Sequence, residues 1–89
     1  MALFDLLGRR WTLRVLWELR REPLTFRQLQ ARCEEMSSSV LNQRLRELRV
    51  AGVVEQQRGE GYSLTAEGQS LLDALKPLST WAERWNARS

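Results

Sequence analysis

Between Pro23 and Leu64 the chain is punctuated at intervals that few folds accommodate. Thr25 stands where it can cap a helix over Phe26–Cys33. Gln28, three residues on, completes a capping box in which each side chain satisfies the other residue's backbone N–H. A polar turn follows, Glu34-Glu35-Met36-Ser37. A second helix is predicted from Ser38 to Ala51. It stops at Gly52, a residue able to take the left-handed conformation that closes a helix. Val53–Gln57 and Gly61–Leu64 then read as two short strands around the tip Arg58-Gly59-Glu60. Helix, turn, helix and hairpin in that order predict an α+β winged helix-turn-helix with a short β-hairpin wing.

The flanks supply the rest of a three-helix core and a long terminal helix. Leu3-Phe4-Asp5-Leu6-Leu7 is a short apolar arm ahead of Gly8. From about Arg9 to Arg20 the pattern is helical: Trp11, Val15 and Leu19 form one row, and Leu13, Leu16 and Trp17 widen it. Pro23 ends that segment, and Leu24–Phe26 is expected to lie extended against the hairpin. Phe26, Leu29 and Cys33 share one face of the next helix, and Leu41, Leu45 and Leu48 one face of the following one. Thr65 can cap a last helix, in which Leu71, Leu75, Leu78, Ala82 and Trp85 follow the 4-3-4-3 spacing of a helix-packing seam, flanked by Leu72 and Trp81. Pro77 should kink or split that helix near Asp73. The expected organisation is a single domain over residues 1–89: an arm at 1–8, the helix-turn-helix and wing at 24–64, and a dimerisation helix at 65–87.

Composition narrows the function more by exclusion than by assertion. Residues 1–32 hold seven Arg against three acids, a local +4, while the remainder is −1. Of 14 basic residues only Lys76 is Lys. Arg suits bidentate contacts to phosphate and guanine, although coding bias in a GC-rich genome produces the same preference. The chain has no His, its one Cys lacks an imidazole partner, and neither a Gly-rich phosphate loop nor metal-ligand spacing occurs. No enzyme activity, cofactor or metal is expected. Lone Cys33 excludes an internal disulfide and fits a reducing cytoplasm. Asp5 and Gly8 interrupt any signal-peptide pattern, and no uncharged run approaches the roughly 20 residues a bilayer span needs. A soluble cytoplasmic protein without membrane contact is expected.

With Leu41 pointing inward, Ser39, Gln43 and Arg46 point nearly opposite at 100° per residue, with Asn42 and Arg49 beside them and Arg44 leaning toward the core edge. A DNA major groove about 12 Å wide admits one such helix. Gln and Asn can bridge adenine N6/N7, and Arg can bridge guanine O6/N7. Ser38, Ser39, Asn42, Gln43 and Arg46 are therefore base-contact candidates, with Arg49 next to them. Arg58 at the hairpin tip could reach phosphate or a minor groove, unless the tip is simply a structural turn. Arg27 and Thr25, at the start of the second helix, could hold phosphate together with free backbone N–H groups; Arg9 and Arg10 are weaker candidates. The competing interpretation is that these side chains only solvate a surface helix. The four Trp fit core or dimer packing, with Trp11 and Trp17 on the inner face of the first helix and a ligand slot as the alternative. Cys33 fits a small buried hydrophobe, with Glu34 and Glu35 raising its pKa.

These residues resemble the HxlR-type winged-helix transcription regulators, related to the MarR group. Leu6–Leu13 is similar to their LLGGKWTLLIL opening and Pro23–Leu29 to RFNEL. SSSVLNQRLRELRVAG, Ser37 to Gly52, follows IS…VLSQRLRELEEAG, and Tyr62–Gly68 resembles YSLTEKG, with Trp81 where the last helix often carries Trp. The resemblance implies a homodimer that binds a partly palindromic double-stranded operator. It would be built from the arm (Leu3, Phe4, Leu7) and the C-terminal helix (Leu71, Leu75, Leu78, Trp81, Ala82, Trp85). Three features depart from the family pattern. The N-terminal Cys-Pro pair has no counterpart, so redox sensing by that Cys is not carried over. The wing lacks the longer basic, Pro-rich loop, and Arg14 and Trp17 stand where Leu and Arg are usual. Two other readings stay open: a winged-helix protein-interaction module without specific DNA binding, and a sensor whose Trp-lined crevice takes a small-molecule effector.

Overall fold

In the computed structural model, which describes residues 2–34, 36–58 and 61–88 and side chains from Asp5 onward, seven elements follow one another. They are α1 (Ala2–Leu7), α2 (Thr12–Glu18), α3 (Phe26–Arg32), α4 (Ser38–Val50), β1 (Val54–Gln57), β2 (Gly61–Leu64) and α5 (Ala66–Arg88).

The local signals of the central segment act as the sequence predicts. Thr25 Oγ1 accepts the Gln28 N–H at 3.2 Å and Gln28 Oε1 accepts the Thr25 N–H at 2.9 Å, closing the capping box of α3. Glu34, at φ 59, turns the chain out of α3. Ser37 caps α4 through the Val40 N–H at 3.2 Å. At its other end the Gly52 N–H bonds Arg49 O at 3.0 Å and the Val53 N–H bonds Leu48 O at 3.1 Å, with Gly52 at φ 81. This pair of hydrogen bonds is the Schellman closure, and it aims the chain directly into β1. β1 and β2 pair antiparallel, Val54 opposite Leu64 and Gln57 opposite Gly61. Leu24 adds the expected third, short strand by exchanging both backbone bonds with Tyr62, at 2.9 and 2.7 Å. Gly61 has φ 89, and a Cβ there would strike the Leu24 carbonyl, so this approach requires glycine.

The core gathers Val15, Leu16 and Leu19 of α2, Leu24, Leu29 and Cys33 at α3, and Leu41, Leu45 and Leu48 of α4. Met36, Val54, Tyr62 and Leu72 close it. Thr65 caps α5 through the Gly68 N–H at 3.0 Å and donates to Gly52 O at 2.6 Å, fixing the start of α5 to the end of α4.

The structure sharpens three expectations for the flanks. The arm is helical, as α1, although the side chains of Leu3 and Phe4 lie outside the described ones. The helix expected over Arg9–Arg20 is shorter. Trp11 precedes it in a left-handed conformation (φ 77), and it ends at Leu19, well before Pro23. Its buried row is Thr12, Val15, Leu16 and Leu19, which turns Leu13 and Trp17 outward at 44% and 46% exposure. Trp17 is therefore not a core residue. Lastly, α5 runs uninterrupted through Pro77. Residues 73–78 flank this proline largely on the open side of the helix, where water can satisfy the carbonyl that its missing N–H leaves free. Gly59 and Glu60 of the wing tip and Glu35 of the turn lie outside the described residues.

Candidate nucleic-acid interface

α4 divides cleanly. Leu41, Leu45 and Leu48 are at most 2% exposed, whereas Ser38, Ser39, Asn42, Gln43, Arg46 and Arg49 are all exposed. Burial of the leucine row on α2 and the hairpin leaves the polar row no direction but outward. Arg44 leans inward as expected: it is 9% exposed, with Nη1 3.3 Å from Glu47 Oε1. The turn before α4 is braced by Gln30, whose Nε2 donates to Met36 O at 3.0 Å and to Ser38 Oγ at 3.1 Å. Gln30 was not among the sequence-derived candidates. Gln30 and Ser38 lie on different helices, so only the folded turn reveals their contact. The same contact partly engages the Ser38 hydroxyl, which makes Asn42, Gln43 and Arg46 the freer readers.

Cations separate into two groups. Much of the basic N-terminal third is consumed internally. Arg14 Nε bonds Glu18 at 2.8 Å, and its Nη2 caps the end of α3 at Arg32 O, also at 2.8 Å. The hydrogen bond to Glu18 raises the Arg14 pKa further. Arg32 pairs with Glu22 at 3.2 Å, and Arg9 with Glu47 at 3.4 Å. Arg20 lies over the Trp17 ring at 3.8 Å and Arg10 over Trp11 at 5.6 Å. Among the described residues, Arg21, Arg27, Arg46, Arg49, Arg58, Arg84 and Arg88 are exposed and make neither an ion pair nor a ring contact. Arg27, Arg46, Arg49 and Arg58 sit on α3, α4 and the wing, Arg21 follows α2, and Arg84 and Arg88 belong to α5. The helix-turn-helix and hairpin thus hold four of these seven cations. At α3 the capping box uses the Thr25 and Gln28 N–H groups, leaving those of Phe26 and Arg27 without an intrahelical acceptor.

Cys33 is fully buried, and burial pushes its thiol pKa up, reinforced by Glu18 and Glu34 and opposed by Arg14. Such a thiol is a packing group rather than a reactive one.

The seam predicted on α5 is only partly covered. Leu72 is the buried contact, and Leu71, Leu75 and Ala82 are half-buried. Leu78, Trp81 and Trp85 are 56%, 51% and 57% exposed, with the two indoles stacked at 6.1 Å. Leu13, Trp17, Leu72, Leu75 and Leu78 line a groove of about 720 Å³ between α2 and α5. Leu7 of α1 is half-buried against the core. No helix is long and apolar enough to cross a membrane, and no metal-binding cluster occurs among the described residues.

Comparison with known proteins agrees with this fold. The model of the HxlR-like helix-turn-helix family matches residues 6–89. The chain is 34% identical over 88 residues to the uncharacterized helix-turn-helix-type transcriptional regulator YvaP of Bacillus subtilis strain 168, covering 91% of this chain and 81% of that one. The crystal structure of quinone-bound YodB from B. subtilis superposes with a TM-score of 0.86 at 30% identity, covering 93% and 92% of the two chains. A transcriptional regulator assigned to the MarR family, from Enterococcus faecalis V583, gives a TM-score of 0.85 at 27% identity, covering 96% and 83%.

Proposed function

The chain belongs to the HxlR-like helix-turn-helix family of transcriptional regulators, and from that premise we propose that it binds a palindromic operator as a homodimer, acting as one winged-helix unit. The observation that carries this reading is the division of α4. Its leucines are spent on the core, and Asn42, Gln43 and Arg46 stand exposed with the hydrogen-bonding groups a major groove can use. Ser38, Ser39 and Arg49 extend that face. Thr25, Arg27 and Arg58 hold the flanking phosphates and so fix register, while α4 reads sequence.

The dimer rests on α5 and α1. Leu78, Trp81 and Trp85 are large apolar side chains left more than half exposed on one helix, beside the groove that Leu13 and Trp17 help to line, and clustered exposed apolar groups mark interaction surfaces. A second copy of the chain covers it, through Leu71, Leu75 and Ala82 on α5 and Leu3, Phe4 and Leu7 on α1. Two α4 helices then enter successive major grooves about 34 Å apart.

The deciding experiment is fluorescence-anisotropy binding to DNA from upstream of the protein's own gene, against scrambled duplex, at two salt concentrations. Sequence-preferring binding that weakens linearly with log salt is expected, and it should be lost in a folded Asn42→Ala/Gln43→Ala/Arg46→Ala variant. Failure to bind any duplex at low salt would instead make this a protein-interaction module.

One observation supports an added layer of control. YodB has been crystallised with a quinone, and the α2–α5 groove here lies within the roughly 300–1,000 Å³ of ordinary ligand sites. A small-molecule effector acting there would quench Trp17 fluorescence and shift operator affinity together; quenching without the shift would count against it.

A further inference from the structure

α4 carries one acidic residue, Glu47, set among Arg44, Arg46 and Arg49. Its carboxylate is turned from solvent: the side chain is 21% exposed, and Oε1 is buried without a well-aligned hydrogen bond. Two guanidinium groups hold it by charge. Arg44 Nη1 lies 3.3 Å from Oε1, and Arg9 Nε lies 3.4 Å from Oε2. Arg44 belongs to α4 and cannot tie that helix to anything else. Arg9 comes from the α1–α2 turn, and its pair with Glu47 is the only ion pair among the described residues that joins α4 to another element.

The turn that presents Arg9 is itself closely specified. The Arg9 N–H bonds Leu6 O at 3.3 Å, and its carbonyl accepts the Thr12 N–H at 3.2 Å. Trp11 follows at φ 77, a conformation costly for a bulky side chain and kept only where surroundings enforce it.

We infer that Arg9 is a positioning residue for DNA reading: through Glu47 it fixes how α4 sits against the α1–α2 turn. Glu47 lies one helical turn after Gln43 and next to Arg46, so a shift of α4 at Glu47 moves both readers. α1, on the other side of the turn, is thereby coupled to the reading face. The inference rests on the DNA-binding role proposed above.

Arg9→Gln in the full chain is the principal test, with Glu47→Gln and the charge-conserving Arg9→Lys beside it. Two quantities are measured. One is the ratio of affinity for the duplex the wild type prefers to affinity for scrambled duplex, at fixed ionic strength. The other is amide hydrogen exchange at residues 8–12 without DNA. Loss of a cation alone weakens every duplex equally and leaves the ratio unchanged. Positioning requires the ratio to fall, by about two- to fivefold, the most a partly exposed pair supplies. It also requires faster exchange in Arg9→Gln and Glu47→Gln and near-wild-type values of both readouts in Arg9→Lys. Uniform weakening with an unchanged ratio would make Arg9 an ordinary long-range charge and overturn the inference. Unchanged exchange would overturn the tether itself. A wild type preferring no duplex would remove the DNA-reading role together with the operator reading; the exchange data would then decide the tether alone.

Discussion

Arg46 and Leu45 are neighbours in the chain and opposites in consequence, because 100° of helical rotation separates water from core. Leu45 is 2% exposed, and Arg46 is exposed and unpaired. Arg46→Ala should leave folding intact and weaken operator binding by about 1–3 kcal/mol, concentrated at one base pair, in anisotropy titrations against a panel of single-base variants. Equal losses on every duplex would assign Arg46 to phosphate instead. Cys33 makes a prediction of a different kind. Its thiol pKa is raised in the folded state, chiefly by burial. A raised folded pKa means that the native state favours the neutral thiol. The contribution to stability is complete below the ordinary thiol pKa and declines as pH rises through it toward the folded value. Urea unfolding between pH 7 and 10 should show this alkaline decline, and Cys33→Ala should flatten it even if that variant starts less stable. An identical pH slope in both proteins would remove Cys33 as its source.

At the scale of elements, α3, α4 and the hairpin were legible because their boundaries are made by neighbours in sequence. The Thr25–Gln28 box, the Ser37 cap and the Gly52 closure each span a few residues and need no tertiary partner. Even the pairing of Leu24 with Tyr62 was foreseeable, since a wing leaves an edge to be filled. It is also the point where one substitution should do most damage. Gly61→Ala adds a Cβ against the Leu24 carbonyl at a positive φ. Backbone strain alone costs about 1–3 kcal/mol, and the collision adds to it. The urea midpoint should fall with little change in slope; an unaltered midpoint would show that β2 can move away from Leu24 freely. α2 was misread because its residues satisfy two helical rows. Trp11-Val15-Leu19 and Thr12-Val15-Leu16-Leu19 fit the period equally, and the left-handed Trp11 selects the second. Nothing local in Leu13 or Trp17 announces that they face outward.

For the whole molecule, the question is what covers α5. The chain extends 43 × 26 × 25 Å, and the far half of α5 carries Leu78, Trp81 and Trp85 largely exposed. Because these side chains contribute little to the monomer's core, Trp81→Ala/Trp85→Ala should retain helical circular dichroism. It should sediment as a monomer where the wild type sediments as a dimer, and lose operator affinity with the second half-site. A monomeric wild type at micromolar concentration would sink the dimer reading. Charge is likewise settled only at this scale. The sequence concentrates Arg in the first third, yet folding pairs Arg9, Arg14 and Arg32 with acids, and four of the seven exposed Arg without an ion pair or ring contact among the described residues (Arg27, Arg46, Arg49 and Arg58) lie on the helix-turn-helix and wing. Residue order by itself determined the helix-turn-helix and wing, their caps and the polar face of α4, because these follow from backbone hydrogen bonding and helical period within short spans. Only the tertiary structure decided which row of α2 is buried, that Pro77 leaves α5 whole, and that Gln30 and Glu47 brace the reading helix. Those outcomes depend on partners distant in sequence, and no local pattern records which of two equally regular faces will meet the core.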